Sequence, residues 1–433
     1  MTKIVFIGAG SVEFTRNLLG DILTFPELAE SEIALHDISA ERLETAAAMA
    51  RWTNDAVGAH ARVSAHRERR RALEGADFAI NTIEVGGIAA TRLDFDIPAR
   101  YGLRQTIGDT SGVGAVFRAL RSIPVFLDIG HDMAELCPHA WLLNYTNPMA
   151  MNCWAYYTGS PHKRIVGLCH SIQNTSRQIA EYVGAPPQEV TFLGAGVNHM
   201  SWVLRLEHEG VDLYPRLDEA IAADPDGLGR HVRVQIYRLF GYFPTESSEH
   251  FAEYVPWFMR DEEEIARLRI PVGEYISRSE ENLGLYEEEV RKLAAGEPFE
   301  IERSQEYASL IIHSMVTGQA RTVYGNVRNE RLIGNLPEDA CVEVPCLVDR
   351  AGVQPTVVGD LPPQCAALDR TFLNVVELAV RAALEGRRDH VLQAVALDPN
   401  AGATLSLAQQ RSMVDELLAA HRGSLPVGLR APM

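Results

Sequence analysis

An apolar run at residues 3–7 ends in a glycine-rich turn, and this combination limits the chain to a small group of folds. The run is rich in β-branched residues and predicts a strand, Gly8-Ala9-Gly10-Ser11 follows it, and residues 15–23 show helical periodicity. In such a turn the backbone N–H groups of Gly8, Gly10 and Ser11 can approach a pyrophosphate at the positive end of the helix. The usual fingerprint has a third glycine where this chain has Glu13, so a plain glycine turn is the alternative.

A second predicted strand supports a dinucleotide site. Residues 33–37 form another apolar run, and Asp37 ends it about 27 residues after Gly10, where a carboxylate binds the ribose 2′-hydroxyl in this class of fold. An Asp at a strand end is also a common helix N-cap. Together with the glycine turn, Asp37 favours NAD over NADP, because a carboxylate repels the additional 2′-phosphate.

Strands and helices alternate along the first half of the chain. Further buried strands are predicted at residues 76–82, 141–145 and 164–168, separated by helical segments such as 113–135. This alternation predicts an α/β protein with a Rossmann-like, doubly wound parallel sheet. We expect an NAD-binding domain at residues 1–195 and a second, α+β domain for substrate binding, metal binding and oligomerisation at 196–433. The overall plan is similar to that of lactate and malate dehydrogenases.

Composition excludes several classes of function. The 433 residues carry 40 Lys+Arg against 58 Asp+Glu, a formal charge of −18, whereas a nucleic acid or an anionic membrane surface requires a basic face. We find no apolar stretch of about 18 residues and no signal-peptide pattern. We therefore expect a cytoplasmic protein without a nucleic-acid or membrane partner. The six scattered cysteines are interpreted as core filler, ligands or reactive thiols rather than as a disulfide framework.

The residues that follow each predicted strand are candidates for function, because ligands of an open parallel sheet bind beyond the carboxyl ends of its strands. Asn147 follows one strand in a Thr-Asn-Pro turn, Cys169 and His170 follow the next, and His199 lies just after another strand-like run. A thiol and an imidazole from different segments can share one metal and leave coordination positions for substrate and water. Each residue alone is also compatible with a purely structural role.

Two later segments carry further candidates. Residues 245–257 are dense in hydroxyl, carboxylate, imidazole and phenol groups, and residues 323–329 combine a strand and a turn with Arg328, a side chain suited to sugar hydroxyls. The alternatives are a solvated loop with aromatic anchors for the first segment and a simple turn for the second.

Taken together, these segments resemble glycoside hydrolase family 4 over essentially the whole chain, and within it the α-galactosidases of the melibiase type. The resemblance rests on residues 6–11 (FIGAGS), 144–152 (NYTNPMAMN), 167–171 (GLCHS), 198–200 (NHM), 246–254 (ESSEHFAEY) and 324–329 (YGNVRN). The turn of this chain is similar to the Gly-x-Gly-Ser turn through which the family binds its dinucleotide, and this resemblance explains the missing third glycine.

The resemblance implies NAD and a divalent metal, usually Mn²⁺, as cofactors, with Cys169 and His199 as the metal ligands. It implies hydrolysis of α-galactosides by oxidation of the sugar at C3, deprotonation at C2, elimination of the aglycone, addition of water and return of the hydride. The two-carboxylate mechanism of most glycosidases does not apply to such enzymes. The metal is expected to bind O2 and O3 of the sugar and to stabilise the enolate.

Two catalytic roles follow from the same resemblance. Tyr254 matches the base that removes the C2 proton, while Glu249, His250 and Glu253 stay open as alternatives in the same segment. His170 matches the leaving-group acid, a role that histidine can fill near neutral pH. Its presence where phospho-sugar relatives carry an acidic residue points to an unphosphorylated substrate.

Substrate contacts are expected from Asn147, which also borders the cofactor pocket, with Asp109 and Arg328 as further candidates. The partner is then a small oligosaccharide or another α-galactoside, and the chain is expected to form a homodimer or homotetramer. Within the family, α-glucosidase and α-glucuronidase are the alternatives, because galactose and glucose differ only in the orientation of one hydroxyl.

Two other classes of protein stay open. An NAD-dependent 2-hydroxyacid dehydrogenase has a similar nucleotide domain, but its chain is shorter and its catalytic His is followed by Asp, whereas Met200 follows His199 here. A non-enzymatic, NAD-binding redox sensor would use Cys169 as a reactive thiol.

Overall fold

Six parallel strands form one half of a mixed sheet in the computed structural model. The structure describes residues 1–301 and 303–430, except for the side chains of residues 12 and 13. The side chain of Glu13 therefore lies outside the described part. The strands are β1 (Lys3–Ile7), β2 (Glu32–His36), β3 (Arg62–His66), β4 (Phe78–Asn81), β5 (Trp141–Asn144) and β6 (Ile165–Gly167). Their order, β3-β2-β1-β4-β5-β6, is that of dinucleotide-binding sheets, with the topological switch point between β1 and β4. The predicted Rossmann-like sheet is thus confirmed.

The same sheet continues into an antiparallel half. It contains β7 (Val190–Val197), β8 (Met200–His208), β9 (Val211–Asp212), β10 (Phe243–Pro244), β11 (Arg321–Arg328), β12 (Cys341–Asp349) and β13 (Gly352–Pro355). From β6 the order is β11-β12-β7-β8-β10, with β13 beside β12 and β9 beside β8. The boundary expected between residues 195 and 196 falls inside β7, because this strand pairs along its length with β8. The division of the chain into two domains stays a prediction.

Helices connect the strands. They are α1 (Val12–Leu23), α2 (Ala40–Ala56), α3 (Arg69–Leu73), α4 (Gly87–Arg100), α5 (Gly112–Leu136), α6 (Met149–Gly159), α7 (Ser171–Tyr182), α8 (Tyr214–Ala223), α9 (Val232–Phe240), α10 (Ser248–Glu253), α11 (Glu262–Leu268), α12 (Glu274–Ala295), α13 (Tyr307–Thr317), α14 (Pro363–Glu385), α15 (Arg388–Leu397), α16 (Pro399–Thr404) and α17 (Leu407–Ala420). Short 3₁₀ turns lie at Pro26–Leu28, Pro187–Glu189, Leu228–Arg230 and Val427–Leu429. Among the helices of the described residues, none combines the length and the apolar character that crossing a membrane requires.

The central strands are apolar because they are covered by other elements. Ile4, Val5, Phe6 and Ile7 of β1 are at most 1% exposed, as expected for a parallel strand with both faces buried. A buried ion pair also stabilises the helical layer, since the guanidinium of Arg121 donates two hydrogen bonds, of 2.9 and 2.7 Å, to the carboxylate of Asp94. Such a bidentate pair fixes α5 against α4.

A row of paired residues crosses the sheet where β4, β5 and β6 end. In this row Asn81 pairs with Asn144, Asn144 with Gly167, Gly167 with Asn326, Asn326 with Glu343, and Glu343 with Gly196. The segments that leave the sheet just after Gly167 and Gly196 carry Cys169 and His199. The register therefore brings two distant parts of the sequence to the same edge of the sheet.

Candidate active site

The glycine turn has the close packing that a dinucleotide cradle requires. Gly8 has a φ of 87°, and a Cβ atom there would lie 2.9 Å from the backbone N of Ile83. A Cβ at Gly10 would lie 2.6 Å from Oδ2 of Asp37, which accepts a 2.8 Å hydrogen bond from the Gly10 N–H. Ser11 is exposed and immediately precedes α1. Gly8, Gly10, Ser11 and Asp37 are therefore brought together at the switch point of the sheet.

A thiol, an imidazole and a carboxylate meet beyond β6. Sγ of Cys169 lies 3.3 Å from Nε2 of His199, and Oε2 of Glu246 lies 3.4 Å from the same nitrogen. The three ligand atoms lie within 4.8 Å of one another, and Cys169, His199 and Glu246 are called the cluster below. This set of sulfur, nitrogen and oxygen donors suits a divalent transition metal. The sequence placed Glu246 in a polar segment but gave it no role as a ligand.

The hydrogen bonds of His199 leave its Nε2 available for a metal. The Thr110 hydroxyl is 2.8 Å from Nδ1 of His199 and 2.8 Å from Oδ1 of Asp109. Since a carboxylate only accepts, the hydroxyl donates to Asp109 and accepts from Nδ1–H of His199. The lone pair then resides on Nε2, as a metal-binding histidine requires. Thr110 thus orients His199, and no sequence motif identified it.

A second acidic group lies beside this cluster. The Asn147 amide donates a 2.8 Å hydrogen bond to Oδ2 of Asp109, and Nε2 of His250 lies 3.7 Å from its Oδ1. Burial alone would raise the pKa of Asp109, but the nearby imidazoles of His250 and His199 and the charge of Arg118 lower it. Asp109 is therefore ionised, and with Asn147 it presents one acceptor and one amide at the cluster.

Two positions of the cluster have unusual backbone conformations. His199 lies in the β7–β8 hairpin with a φ of 65°, and Glu246 precedes α10 with a φ of 68°. Left-handed conformations of residues other than glycine cost about 1–3 kcal/mol and concentrate at functional sites. The Ser247 hydroxyl caps α10 by accepting a hydrogen bond from the N–H of His250. The turn and its cap therefore hold Glu246 next to His199.

Tyr254 and Glu253 lie in different surroundings at the end of α10. The Tyr254 ring stacks on Phe372 with centroids 6.0 Å apart and lies 6.2 Å from the ring of His250. Its hydroxyl is buried and makes no hydrogen bond with the described residues, and burial raises its pKa well above the usual value. The Glu253 carboxylate instead accepts backbone hydrogen bonds from Thr106 and Gly108, of 2.9 and 2.7 Å. Glu253 therefore supports a loop.

His170 directly follows Cys169 and has a partner of its own, Glu306. Its Nδ1 lies 3.1 Å from Oε1 of Glu306, and its side chain is 49% exposed. The hydrogen bond with Glu306 raises the pKa of His170 to about 9, against the opposing effect of burial. Sequence reasoning missed Glu306, since 136 residues separate it from His170.

Arg328 is the expected substrate residue that the structure does not bring to the cluster. Asn326 pairs with Gly167 in an antiparallel register, so Arg328 lies two residues further toward the amino end of β6. Its side chain is 49% exposed and pairs with Asp339 and Glu330. It lines a different cleft, together with Trp154 and Tyr157. The strand direction thus places Arg328 away from the cluster, and its expected substrate contact stays a prediction.

The chain matches two family models and many known proteins. The model described as "Family 4 glycosyl hydrolase" matches residues 3–185, and that of the C-terminal domain of the same family matches residues 194–401. The chain is 42% identical to an α-galactosidase of Bacillus subtilis over 98% of this chain and 99% of the relative. It is 38% identical to an α-galactosidase of Rhizobium meliloti over 98% and 89%, and 31% identical to an α-glucosidase of Erwinia rhapontici over 92% and 93%.

Solved structures show the same fold. A crystal structure of a Bacillus subtilis protein described as a putative glucosidase matches with a TM-score of 0.89 at 24% identity, covering 96% of this chain and 99% of that one. A 6-phospho-α-glucosidase from gut microorganisms, in complex with NAD and Mn²⁺, matches with 0.83 at 21% identity over 98% and 99%. A malate dehydrogenase of Cryptosporidium parvum matches with 0.53 at 13% identity over 89% and 100%. The similarity to dehydrogenases is thus a similarity of fold.

Proposed function

The chain belongs to family 4 of the glycosyl hydrolases, and from this premise we propose that it hydrolyses α-galactosides with NAD and a divalent metal, Mn²⁺, as cofactors. The observation that carries the proposal is that Sγ of Cys169 and Nε2 of His199 lie 3.3 Å apart. Both residues follow the carboxyl ends of strands of the sheet, as the glycine turn does. The identity to two α-galactosidases supports galactose as the sugar.

The side chains fit both cofactors. Cys169, His199 and Glu246 would hold the metal, and the bond from His199 to Thr110 leaves the required lone pair on Nε2. The turn of Gly8 and Gly10 would hold the pyrophosphate, and Asp37 would bind the ribose. When bound, NAD supplies reversible oxidation at C3 of the sugar, and the metal supplies Lewis-acid stabilisation of the enolate.

Polar residues beside the cluster would orient the sugar. Asp109 is ionised and accepts from the Asn147 amide, so the two side chains offer an acceptor and a carbonyl oxygen to sugar hydroxyls. Both are buried or half-buried, and hydrogen bonds made there discriminate strongly between substrates that do and do not satisfy them. We assign to Asp109 and Asn147 the positioning of the reacting carbons.

Two side chains would move protons. Tyr254 would take the proton from C2 of the oxidised sugar, and because burial raises its pKa, this role requires a positive charge beside the phenol. His170 would donate a proton to the departing glycosidic oxygen and then take one from the attacking water. Glu253 is engaged by two backbone N–H groups, which favours Tyr254 over Glu253 as the base.

Reconstitution of the cofactor-free protein tests this function. The reduced protein is stripped of nucleotide and metal, and cleavage of 4-nitrophenyl α-galactoside is measured with NAD and Mn²⁺ added singly and together while NADH is monitored. We expect cleavage only with both, without accumulation of NADH. Cleavage without NAD would exclude the redox-assisted mechanism.

A second candidate is α-glucosidase activity, favoured by the 31% identity to the α-glucosidase of Erwinia rhapontici. The same assay with aryl α-glucoside and α-glucuronide measures the preference directly. Faster cleavage of the glucoside than of the galactoside would reassign the sugar. Steady NADH formation from 2-hydroxyacids without glycoside cleavage would instead support a dehydrogenase.

We further propose that the protein acts in the cytoplasm as a homodimer or homotetramer without a nucleic-acid or membrane partner. The excess of acidic over basic residues supports the absence of a nucleic-acid partner. Sedimentation of the protein at micromolar concentration measures the oligomeric state.

A further inference from the structure

The imidazole of His170 contacts Glu306, a residue 136 positions away in the sequence. Nδ1 of His170 lies 3.1 Å from Oε1 of Glu306, whose side chain is only 13% exposed. The His170 side chain is 49% exposed, so Glu306 occupies one ring nitrogen on the protein side. When Nδ1–H donates to a carboxylate, the ring orientation and the tautomer are fixed, and Nε2 is the nitrogen that remains for a ligand.

Glu306 is itself held by contacts from two helices. The backbone N–H of Glu306 donates to the Ser304 hydroxyl at 3.1 Å, and the backbone N–H of Ser304 donates to Asp21 of α1 at 2.7 Å. The Gln173 amide of α7 donates a 2.7 Å hydrogen bond to the Gln305 carbonyl. The segment that carries Glu306 is therefore fixed to α7, the helix that begins directly after His170. An arrangement of this kind positions a side chain rather than merely pairing two surface charges.

We propose that Glu306 is a positioning residue for leaving-group departure, which it assists by orienting the imidazole of His170 through Nδ1. This inference rests on the proposed function. In the step concerned, the electron pair left at C2 by loss of its proton forms the C1=C2 double bond, and the C1–O bond breaks as its electron pair passes to the glycosidic oxygen. That oxygen receives the proton from Nε2 of His170. The imidazole becomes neutral while its Nδ1–H stays bonded to Glu306. A water then returns a proton to Nε2 when it adds at C1, so the histidine is restored.

Leaving-group dependence distinguishes this role from a structural one. A sugar leaving group must be protonated as it departs, whereas 4-nitrophenolate departs without protonation. Misorientation of His170 therefore slows hydrolysis of melibiose and leaves hydrolysis of 4-nitrophenyl α-galactoside nearly unchanged. Loss of fold or of cofactor binding would slow both substrates equally.

The experiment compares kcat/KM for the two substrates in the NAD- and Mn²⁺-loaded enzyme and in Glu306→Ala. General acid catalysis contributes about 10²- to 10⁴-fold, so we expect a loss of about 10-fold or more with melibiose and of less than about 3-fold with the aryl substrate. Glu306→Gln keeps an acceptor for Nδ1–H and should lose less than Glu306→Ala. It also serves if the alanine variant does not fold. Glu300→Gln, an exposed glutamate of the same segment, is the matched control.

A double-mutant cycle completes the test. If Glu306 acts only through His170, Glu306→Ala adds little to the loss already caused by His170→Gln, so the two effects are strongly non-additive. The role of Glu306 would be overturned, with the proposed function left intact, by any of three results. These are equal losses for the two substrates in Glu306→Ala, additive effects in the cycle, and no loss in Glu306→Ala when the wild type is active. Inactivity of the wild-type chain toward both galactosides would overturn the proposed function, and this role with it.

Discussion

Sγ of Cys169 lies 3.3 Å from Nε2 of His199, although the two residues leave strands that are not neighbours in the sheet. The loop of Cys169 follows β6, and His199 lies in the β7–β8 hairpin. Between β6 and β7 stand β11 and β12, which come from much later in the sequence. The distant strands β11 and β12 therefore complete the part of the sheet at which Cys169 and His199 meet.

Cys169→Ser should abolish metal-dependent turnover and leave NAD binding largely intact. A serine hydroxyl is a much poorer ligand for a transition metal than a thiolate, and in the metal-free protein burial and the nearby carboxylates raise the pKa of the Cys169 thiol to about 12. We expect Mn²⁺ affinity to fall by about 100-fold, since even residues behind the ligands contribute about 10- to 100-fold. Calorimetric titration with Mn²⁺ and, separately, with NAD measures the two effects.

The control for this variant is Cys137→Ser, a buried cysteine at the end of α5 that the cluster does not include. It should bind Mn²⁺ like the wild type. A fully active Cys169→Ser enzyme would remove Cys169 from the metal site.

Glu246→Gln should weaken Mn²⁺ binding without changing the fold. Burial alone would raise the pKa of Glu246, but the nearby imidazoles of His199, His250 and His170 lower it, so a carboxylate, not a carboxylic acid, faces the cluster. Replacing it with an amide removes one anionic ligand, and we expect about 10- to 100-fold weaker binding in a calorimetric titration. Glu263→Gln, an exposed glutamate of α11, is the matched control. Unchanged Mn²⁺ affinity would leave Cys169 and His199 as the protein ligands.

Thr110→Val should lower the affinity for Mn²⁺ although Thr110 is not itself a proposed ligand. The Thr110 hydroxyl accepts from Nδ1–H of His199 and donates to Asp109, and valine has the same shape without either bond. Partners of this kind contribute about 10- to 100-fold to metal affinity. Thr110→Ser keeps the hydroxyl and should restore most of the affinity. If both variants bind Mn²⁺ equally, the hydroxyl does not orient His199.

The fold was more accessible from sequence than the site. The strand runs that end at Ile7, His36, Asn81, Asn144 and Gly167 are short, apolar and followed by turns, and such local patterns identify parallel strands directly. The pairing of β11 and β12 next to β6 depends on contacts between residues more than 150 positions apart, such as Asn326 with Gly167. No local pattern contains that information.

Some site residues could likewise be predicted from local sequence patterns, and others could not. Cys169 and His199 follow strand ends and could be predicted as ligands, whereas Glu246 was visible only as part of a polar segment. Thr110 and Glu306 each make one hydrogen bond to a histidine on another element, and their residue types are common everywhere on protein surfaces. The position of Arg328 in the fold could not be predicted, because the direction of β11 cannot be inferred from its sequence.

Arg328→Ala should leave catalysis nearly unchanged. Its guanidinium is about half exposed and pairs with the exposed carboxylate of Asp339, and such surface pairs contribute about 0–1 kcal/mol to stability. We expect kcat/KM for 4-nitrophenyl α-galactoside within about twofold of the wild type, because the strand register points Arg328 away from the cluster. Asp109→Asn, measured in parallel, should lose far more. A large loss in kcat/KM for Arg328→Ala would show that this face contributes to the reaction.

Asp398→Asn should stabilise the protein at alkaline pH. Asp398 is 1% exposed and caps α16 by accepting from the N–H of Ala401, and burial raises its pKa from 3.8 to about 7. Between pH 4 and 7 the folded protein holds a proton that the unfolded chain has lost, so the stability that Asp398 confers decreases as the pH rises through this range. Asparagine caps helices as well as aspartate does and does not ionise. At pH 8 we expect the variant to be more stable by about 1–3 kcal/mol, with little difference at pH 4, in urea unfolding curves. Equal stability differences at the two pH values would show that the carboxyl group of Asp398 does not titrate with the raised pKa.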